Sequence, residues 1–375
     1  MITVLVCYER ISLYHTMVPF FLKEKSSRKK QAGKIFRFTR RADWCLRHDR
    51  NSVLFMERCF QHREPRDLSP DELETMKRLR DKYKTIVFFC GQGEAGTNRL
   101  DLLPFVDRLF YKSVFTDRGN YLKDLYGKNL FADYYHRRYG VADDPEYSGG
   151  QLLSAAEARR PELSWNIGLG TYPRLHWPQR LGTVLARSGM AGLGRRIGGK
   201  PAAAEPRELP RPPDFFGGRR SIAVHARIDP VSCRSIAYQR RLFLDLIAGF
   251  RRKDLFLTGM VPQKQYYREL ADSKIALSPF GWGEVCFRDF EAILSGALLL
   301  KPDMGHVTTW PDVYIPYETY IPLAWDGSDL LSQAQRYLED EGKRRRIAAN
   351  AFEVYQKALA ELPDRFDALL GEFFP

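Results

Sequence analysis

"SPFGWGEVCFRDFEAILSGALLL", residues 278–300, is the stretch on which the fold turns. It opens on Pro279 and two glycines, Gly281 and Gly283, and closes on an unbroken apolar run. The preceding "KIALSP" (274–279) has the density of a buried strand and the closing "ALLL" that of another. The residues between them must therefore turn, form a helix that begins near Val285, and return. A glycine turn leading from a strand into a helix places backbone N–H groups and the positive end of the helix dipole where a phosphate can be held.

The charges in this stretch sharpen that reading. Glu284, Arg288 and Glu291 are spaced i, i+4 and i+7, which predicts one polar stripe on a helix otherwise filled by Val285, Phe287, Phe290, Ile293 and Leu294. Arg288, one turn in, can aim a fixed cation at a diphosphate, and Glu291, a turn further, can accept hydrogen bonds from ribose hydroxyls. The same spacing also allows an ordinary i,i+3 ion pair between Arg288 and Glu291.

Working outward, the alternation continues on both sides. Upstream lie a strand at 220–229, a helix at 237–250, a strand at 255–259 and a helix at 262–273; downstream, two or three helices close the chain from Asp329 to Leu370. Nearer the start, "ITVLVCYE" (2–9), "KIFRFT" (34–39), "SVLFMER" (52–58) and "TIVFFCG" (85–91) read as strands. "SPDELETMKRLRDKYK" between the last two has a Ser-Pro-Asp-Glu helix start. The aromatic and charged stretch from Asn98 to Val141 reads as helices and loops over the sheet rim.

"SGMAGLGRRIGGKPAAAEPRELPRPPDFFGG" (188–218) is rich in Gly, Pro and Ala without periodicity and marks a flexible linker or loop. The expected organisation is an acceptor-side α/β domain over 1–187, this linker, and a donor-binding α/β domain with closing helices over 219–375.

Composition bounds the function. A chain of 375 residues with 44% hydrophobic content supports two cores. Six cysteines form no Cys-x-x-Cys pair and seven histidines no His-Glu-x-x-His, so neither a zinc knuckle, a disulfide framework nor a zincin site is signalled, and no metal or cofactor is expected. No stretch reaches the ~20 apolar residues of a membrane span. The net charge is +13, with twelve Lys/Arg against four Asp/Glu in residues 1–50. That basic face suits an anionic partner: nucleic acid, acidic lipid or a phosphorylated substrate. A solvated surface that keeps the chain soluble is the other reading of the same charge.

The run "SKIALSPFGWGEVCFRDFEAILSGALLLKPDM" (273–304) resembles the C-terminal signature of exostosin-like and related GT-B glycosyltransferases, through Ser278, Pro279, Gly281, Arg288, Glu291, Ala292 and Gly296. Cys286 departs from the serine common at its position in that pattern. Looser similarity over 85–122 and 125–141 is to the acceptor-side half of bacterial glycosyltransferases that build surface polysaccharides.

The resemblance implies two Rossmann-like α/β domains facing across a cleft, with C-terminal helices. It also implies a nucleotide-diphospho-sugar donor held with Arg288 on phosphate and Glu291 on ribose. The acceptor would be a glycan or lipid-linked glycan at the cytoplasmic face of the inner membrane. From its charge, the basic N-terminal region can meet an anionic membrane peripherally there, and no nucleic acid partner is expected.

The rest of the expected site follows from strand ends and glycine loops. Gly281, Gly283 and Glu284 form the lip of the donor site, Arg227 ends a strand where it can reach the leaving diphosphate, and Met260 can pack on the base. A surface arginine and a core methionine are the plainer alternatives for the last two. His225, on the same strand face as Arg227, reads as a core histidine.

Glu94, in the glycine-rich "FFCGQGEAGTNRLD" (88–101), is the preferred catalytic base, with Asp101 second. A capping or surface role competes for each, and a front-face retaining route needs no protein base. Gly91-x-Gly93-x-x-Gly96 formally spells a dinucleotide fingerprint, but the second strand that reading requires is weak. Tyr134 to Tyr139 reads as a helix with its aromatic face against the sheet. Two further function classes remain open, a basic nucleic-acid-binding protein and a GT-B chain that only binds glycans.

Overall fold

Apolar runs without alternation, such as Ile2–Val6 and Thr85–Cys90, need cover on both faces, and they become inner strands of a parallel sheet. The computed structural model describes residues 1–6, 15–29, 35–57, 68–91, 95–97, 99–142, 153–170, 181, 218–232 and 234–373. Its first unit comprises β1 (Ile2–Val6), α1 (Val18–Lys29), β2 (Phe36–Thr39), α2 (Ala42–His48), β3 (Val53–Glu57), α3 (Pro70–Lys82), β4 (Thr85–Cys90), β5 (Arg108–Tyr111), β6 (Ser113–Phe115), α4 (Leu130–Tyr139) and β7 (Pro161–Leu163). Six of these strands form one sheet in the order β2-β1-β3-β4-β5-β7, every neighbouring pair parallel.

The start of α3 follows the sequence signal. Ser69 Oγ accepts from the Glu72 amide and Glu72 Oε2 accepts the Ser69 amide at 2.9 Å, a reciprocal cap. The stretch from Asn98 to Val141, expected to be helices and loops, instead contributes β5 to the sheet and β6 beside it. β5 is four residues long and opens on a charge, so its strand character comes from pairing with β4 and β7. Arg108 is answered by Glu162 of β7 and by Glu372 near the chain end.

The second unit comprises β8 (Ile222–His225), α5 (Arg234–Ala248), β9 (Phe256–Leu257), α6 (Gln263–Ala271), β10 (Ser273–Leu277), α7 (Phe287–Ser295), β11 (Leu298–Pro302), β12 (Val307–Thr309), β13 (Ile321–Leu323), α8 (Leu330–Glu339) and α9 (Glu341–Gly371). Its sheet, β13-β11-β10-β8-β9, is again wholly parallel. β8, the first strand of this unit, lies between β9 and β10, so the strand order reverses there, and beyond the carboxyl ends of strands at such a reversal is where open α/β sheets bind ligands. The two units make a mixed α/β arrangement of two parallel sheets with helices packed on them.

The units share a continuous seam. β12 pairs antiparallel with β6, matching Val307 to Phe115 and Thr309 to Ser113. Phe131 of α4 meets Phe280 with ring centroids 5.6 Å apart. α9 starts in the core of the second sheet with Ile347 and ends on the first, where Leu362, Phe366 and Leu370 join Val4, Phe20, Phe36 and Phe55. The aromatic face of α4 packs on Tyr238 and Trp325 of the second unit, not on the first sheet as expected. Of the expected linker 188–218, only Gly218 is among the described residues. Among the described residues no helix is long and apolar enough to cross a membrane.

Candidate active site

The turn after β10 is fixed by bonds to its backbone. The Ser278 amide continues the ladder to Leu300 O, the Phe280 amide donates to Gln239 Oε1 at 2.8 Å, and Arg240 Nε donates to Phe280 O at 3.0 Å. The Gly281 amide then donates to Gly283 O at 2.9 Å, and Gly283 has φ of 132°, a backbone that side chains oppose. A Cβ on Gly281 would stand 2.7 Å from the Cys286 Cβ, so both glycines are needed to bring the turn back onto the helix start.

The helix begins at Phe287 with Cys286 as its N-cap, two residues later than the spacing predicts. Glu284 therefore lies in the turn and shares no helical stripe with Arg288 and Glu291. It is wholly buried at the seam, where Oε2 accepts the Ala95 amide at 3.1 Å and Oε1 lies 3.2 Å from His306 Nε2. The expectation of a shared stripe fails because Asp289, not Glu284, sets the helix start: Asp289 Oδ2 accepts the Cys286 amide at 3.0 Å.

Asp289 is also the centre of a buried network that sequence reading missed. Lys301 Nζ lies 3.0 Å from Oδ2, Tyr314 donates to Oδ2 at 2.6 Å, and Ser278 donates to Oδ1 at 2.5 Å. The Cys286 thiol points inward to Oδ1 at 3.1 Å, and burial followed by the neighbouring Asp289 charge pushes its pKa up. Burial and Asp289 likewise hold the Tyr314 phenol well above its ordinary value. One signal was present in the sequence: Lys301 is the single charge in the strand "LLLKP".

Beyond the turn, Arg288 lies in the first turn of α7, half-buried, and donates Nη1 to Pro279 O at 3.4 Å. No carboxylate among the described residues lies within ion-pair distance of it, so the possible i,i+3 pair with Glu291 does not form. Glu291 instead accepts from Tyr266 and Tyr267, each at 3.0 Å.

Arg227 follows β8 and is held in a fork by Glu269 at 2.8 and 2.9 Å, and the Arg227 hydrogen bonds keep the Glu269 carboxyl below its ordinary range. His225 packs edge-on to Tyr266 at 4.8 Å. Arg227, Tyr266, Tyr267, Arg288 and Glu291 thus gather at the β8/β10 reversal. Met260 follows β9 and is 67% exposed, a plain contrast with a core methionine.

The first unit's candidates divide. Glu94 lies outside the described residues. Asp101 Oδ2 accepts the Leu68 amide at 2.8 Å and faces Arg99 Nη1 at 3.4 Å, so its contacts serve the local loop and none reaches the turn at 278–286.

Residues 235–367 match a family model described as "Glycosyl transferase-like". The match contains all but the first residue of α5, α6 to α8 and most of α9, and with them Arg288, Glu291 and the Asp289–Lys301 network. It is to the broader description, and no comparison singles out the exostosin-like branch.

Among solved structures, similar chains include an alpha-glucosyltransferase (AGT) in complex with UDP, at 11% identity, 98% of this chain, 99% of that one and TM-score 0.45. Another is HepE of Anabaena in complex with UDP, at 10% identity, 99% of each chain and TM-score 0.44. A third is an alpha,alpha-trehalose-phosphate synthase (UDP-forming) from Burkholderia vietnamiensis, at 12% identity, 88% of this chain, 77% of that one and TM-score 0.42. No curated protein matches the chain.

Proposed function

We propose that this chain transfers a sugar from a nucleotide-diphospho-sugar donor to a hydroxyl of a glycan or lipid-linked glycan, in the building of a surface polysaccharide. The observation that carries the reading is Arg288. It is a half-buried guanidinium with no carboxylate partner among the described residues, placed beside a fixed glycine turn within the glycosyl transferase-like segment. A cation so placed is pre-organised for an anion.

In the reaction, the bond from the anomeric carbon to the diphosphate oxygen breaks and a bond from the acceptor oxygen to that carbon forms. The acceptor proton passes to a base or to the departing diphosphate. Arg288 stabilises the charge on the leaving diphosphate, Arg227 adds to it by sharing itself between Glu269 and the anion, and Glu291 receives the ribose hydroxyls. These cations make a metal-independent reaction the expectation, and unchanged turnover in excess EDTA is its check. Glu94 remains the proposed base. The basic N-terminal region is proposed to hold the chain peripherally at an anionic cytoplasmic membrane face.

Thermal shift against UDP, GDP, ADP, CMP and dTDP tests the donor site, because a ligand of the folded state raises Tm with the logarithm of its concentration. One nucleotide is expected to stabilise the wild type, and Arg288→Ala and Glu291→Ala to lose the shift while remaining folded. No stabilisation by any of the five, or a full shift in Arg288→Ala, overturns the reading.

A further inference from the structure

Trp282, at the tip of the glycine turn, is 87% exposed. The other described tryptophans are sheltered: Trp165 is 2% exposed, and Trp44, Trp310 and Trp325 are partly buried against the cores. An indole is the largest apolar side chain a protein carries, and it is ordinarily covered.

The backbone beneath it is fixed. The turn closes through the Gly281 to Gly283 hydrogen bond at 2.9 Å, and Phe280 on one side is wholly buried with both its amide and its carbonyl bonded to α5. On the other side Glu284 is wholly buried and bonded to Ala95 of the first unit. Trp282 is thus an exposed ring on an anchored mount at the seam between the units. Binding a ligand there costs the protein little backbone freedom.

We propose that Trp282 is the platform on which a pyranose ring of the acceptor glycan stacks. This rests on the donor-site reading above. A pyranose has one face of C–H groups bounded by hydroxyls, and a flat apolar ring with a single donor at its edge complements that face.

The position selects the acceptor over the donor. Arg288 and Glu291 lie half-buried on the helix beyond the turn and Glu284 is wholly buried, whereas the Trp282 ring is exposed, so a sugar stacked on it lies outside the place assigned to the donor's diphosphate and ribose. The apolar side chains flanking the tip, Phe280 and Val285, are buried, so the turn presents one ring and not the wide apolar surface that enters a bilayer.

The test titrates the full chain with maltotetraose, cellotetraose and chitotetraose, reading indole fluorescence and calorimetric affinity. At least one is expected to change the emission saturably in the wild type and not in Trp282→Phe. Trp282→Ala is expected to weaken its binding about tenfold, while Trp282→Tyr recovers most of it.

The proposal is overturned if no tetrasaccharide alters the emission, if Trp282→Ala binds as the wild type does, or if phosphatidylglycerol vesicles shift the emission where the oligosaccharides do not. The nucleotide thermal shift on the same preparations separates the two readings. A shift kept in Trp282→Ala alongside lost glycan binding supports the platform, and a shift absent from the wild type counts against the donor site.

Discussion

Asp289 Oδ2 lies 3.0 Å from Lys301 Nζ, and both side chains are wholly buried. The pair ties the start of α7 to β11, while Ser278 and Tyr314 bring the end of β10 and the loop before β13 to the same carboxylate. A buried ion pair is a poor source of net stability, because desolvation offsets most of the attraction. Its use here is geometric, since it fixes the glycine turn, and with the turn the direction of Arg288 and Trp282.

Removing one partner leaves the other charge buried alone. Lys301→Met is expected to lower stability by about 3–5 kcal/mol, read as a lower urea midpoint at unchanged slope. Lys301→Met combined with Asp289→Leu is expected to recover part of that loss, because no lone charge remains. A single mutant as stable as the wild type would show that the pair bears no structural weight.

His225 gives the protein an acid-side stability slope. It is buried, and neither ring nitrogen has a hydrogen-bond partner among the described residues. Burial holds its pKa down to about 4 from 6.5, with Glu269 opposing and Arg227 and Arg288 assisting. The unfolded chain therefore binds the proton first as pH falls. Its contribution is intact above pH 6.5 and is lost by about pH 4, a change of about 3 kcal/mol. His225→Leu is expected to flatten Tm against pH across that window, and an unchanged slope would assign it to other groups.

Gly168 marks where the first unit touches α7. A Cβ there would lie 2.5 and 2.6 Å from ring atoms of Phe290, which itself packs on Tyr355 at 5.3 Å. Gly168→Ala is expected to cost about 1–3 kcal/mol through forced displacement of that ring. The double mutant Gly168→Ala, Phe290→Leu is expected to be milder than the sum of its parts. Additive losses would mean that the two sites do not meet.

What could be read from the sequence tracks how local each cause is. The inner strands and α3 carry their own signals, apolar density in one case and a reciprocal cap in the other. β5 does not, because its strand character depends on β4 and β7. The glycine turn, Arg288 and Glu291 were legible from spacing within about two turns of helix. The partners that decide their roles lie elsewhere in the chain: Ala95 for Glu284, Glu269 for Arg227, and Tyr266 and Tyr267 for Glu291. Such pairings form only when the sheet is assembled, so a single sequence exposes the charged residues without their partners.

The Arg227–Glu269 fork offers a test whose two readouts move in opposite directions. The pair is largely sheltered, with side chains 11% and 13% exposed, and it neutralises Arg227 in the unliganded protein. A diphosphate bound at the β8/β10 reversal, as proposed, would have to compete with Glu269 for that guanidinium. Glu269→Gln keeps the size of the side chain but removes its charge and replaces one of the two acceptor oxygens of the fork with a donor. The unliganded protein is then expected to melt lower, because a sheltered cation has lost its counter-charge, while the affinity for the stabilising nucleotide rises about fivefold. Arg227→Met is expected to weaken the nucleotide by a similar factor. If Arg227 is only a structural brace, both variants lower Tm and neither changes nucleotide affinity, and the diphosphate role then belongs to Arg288 alone.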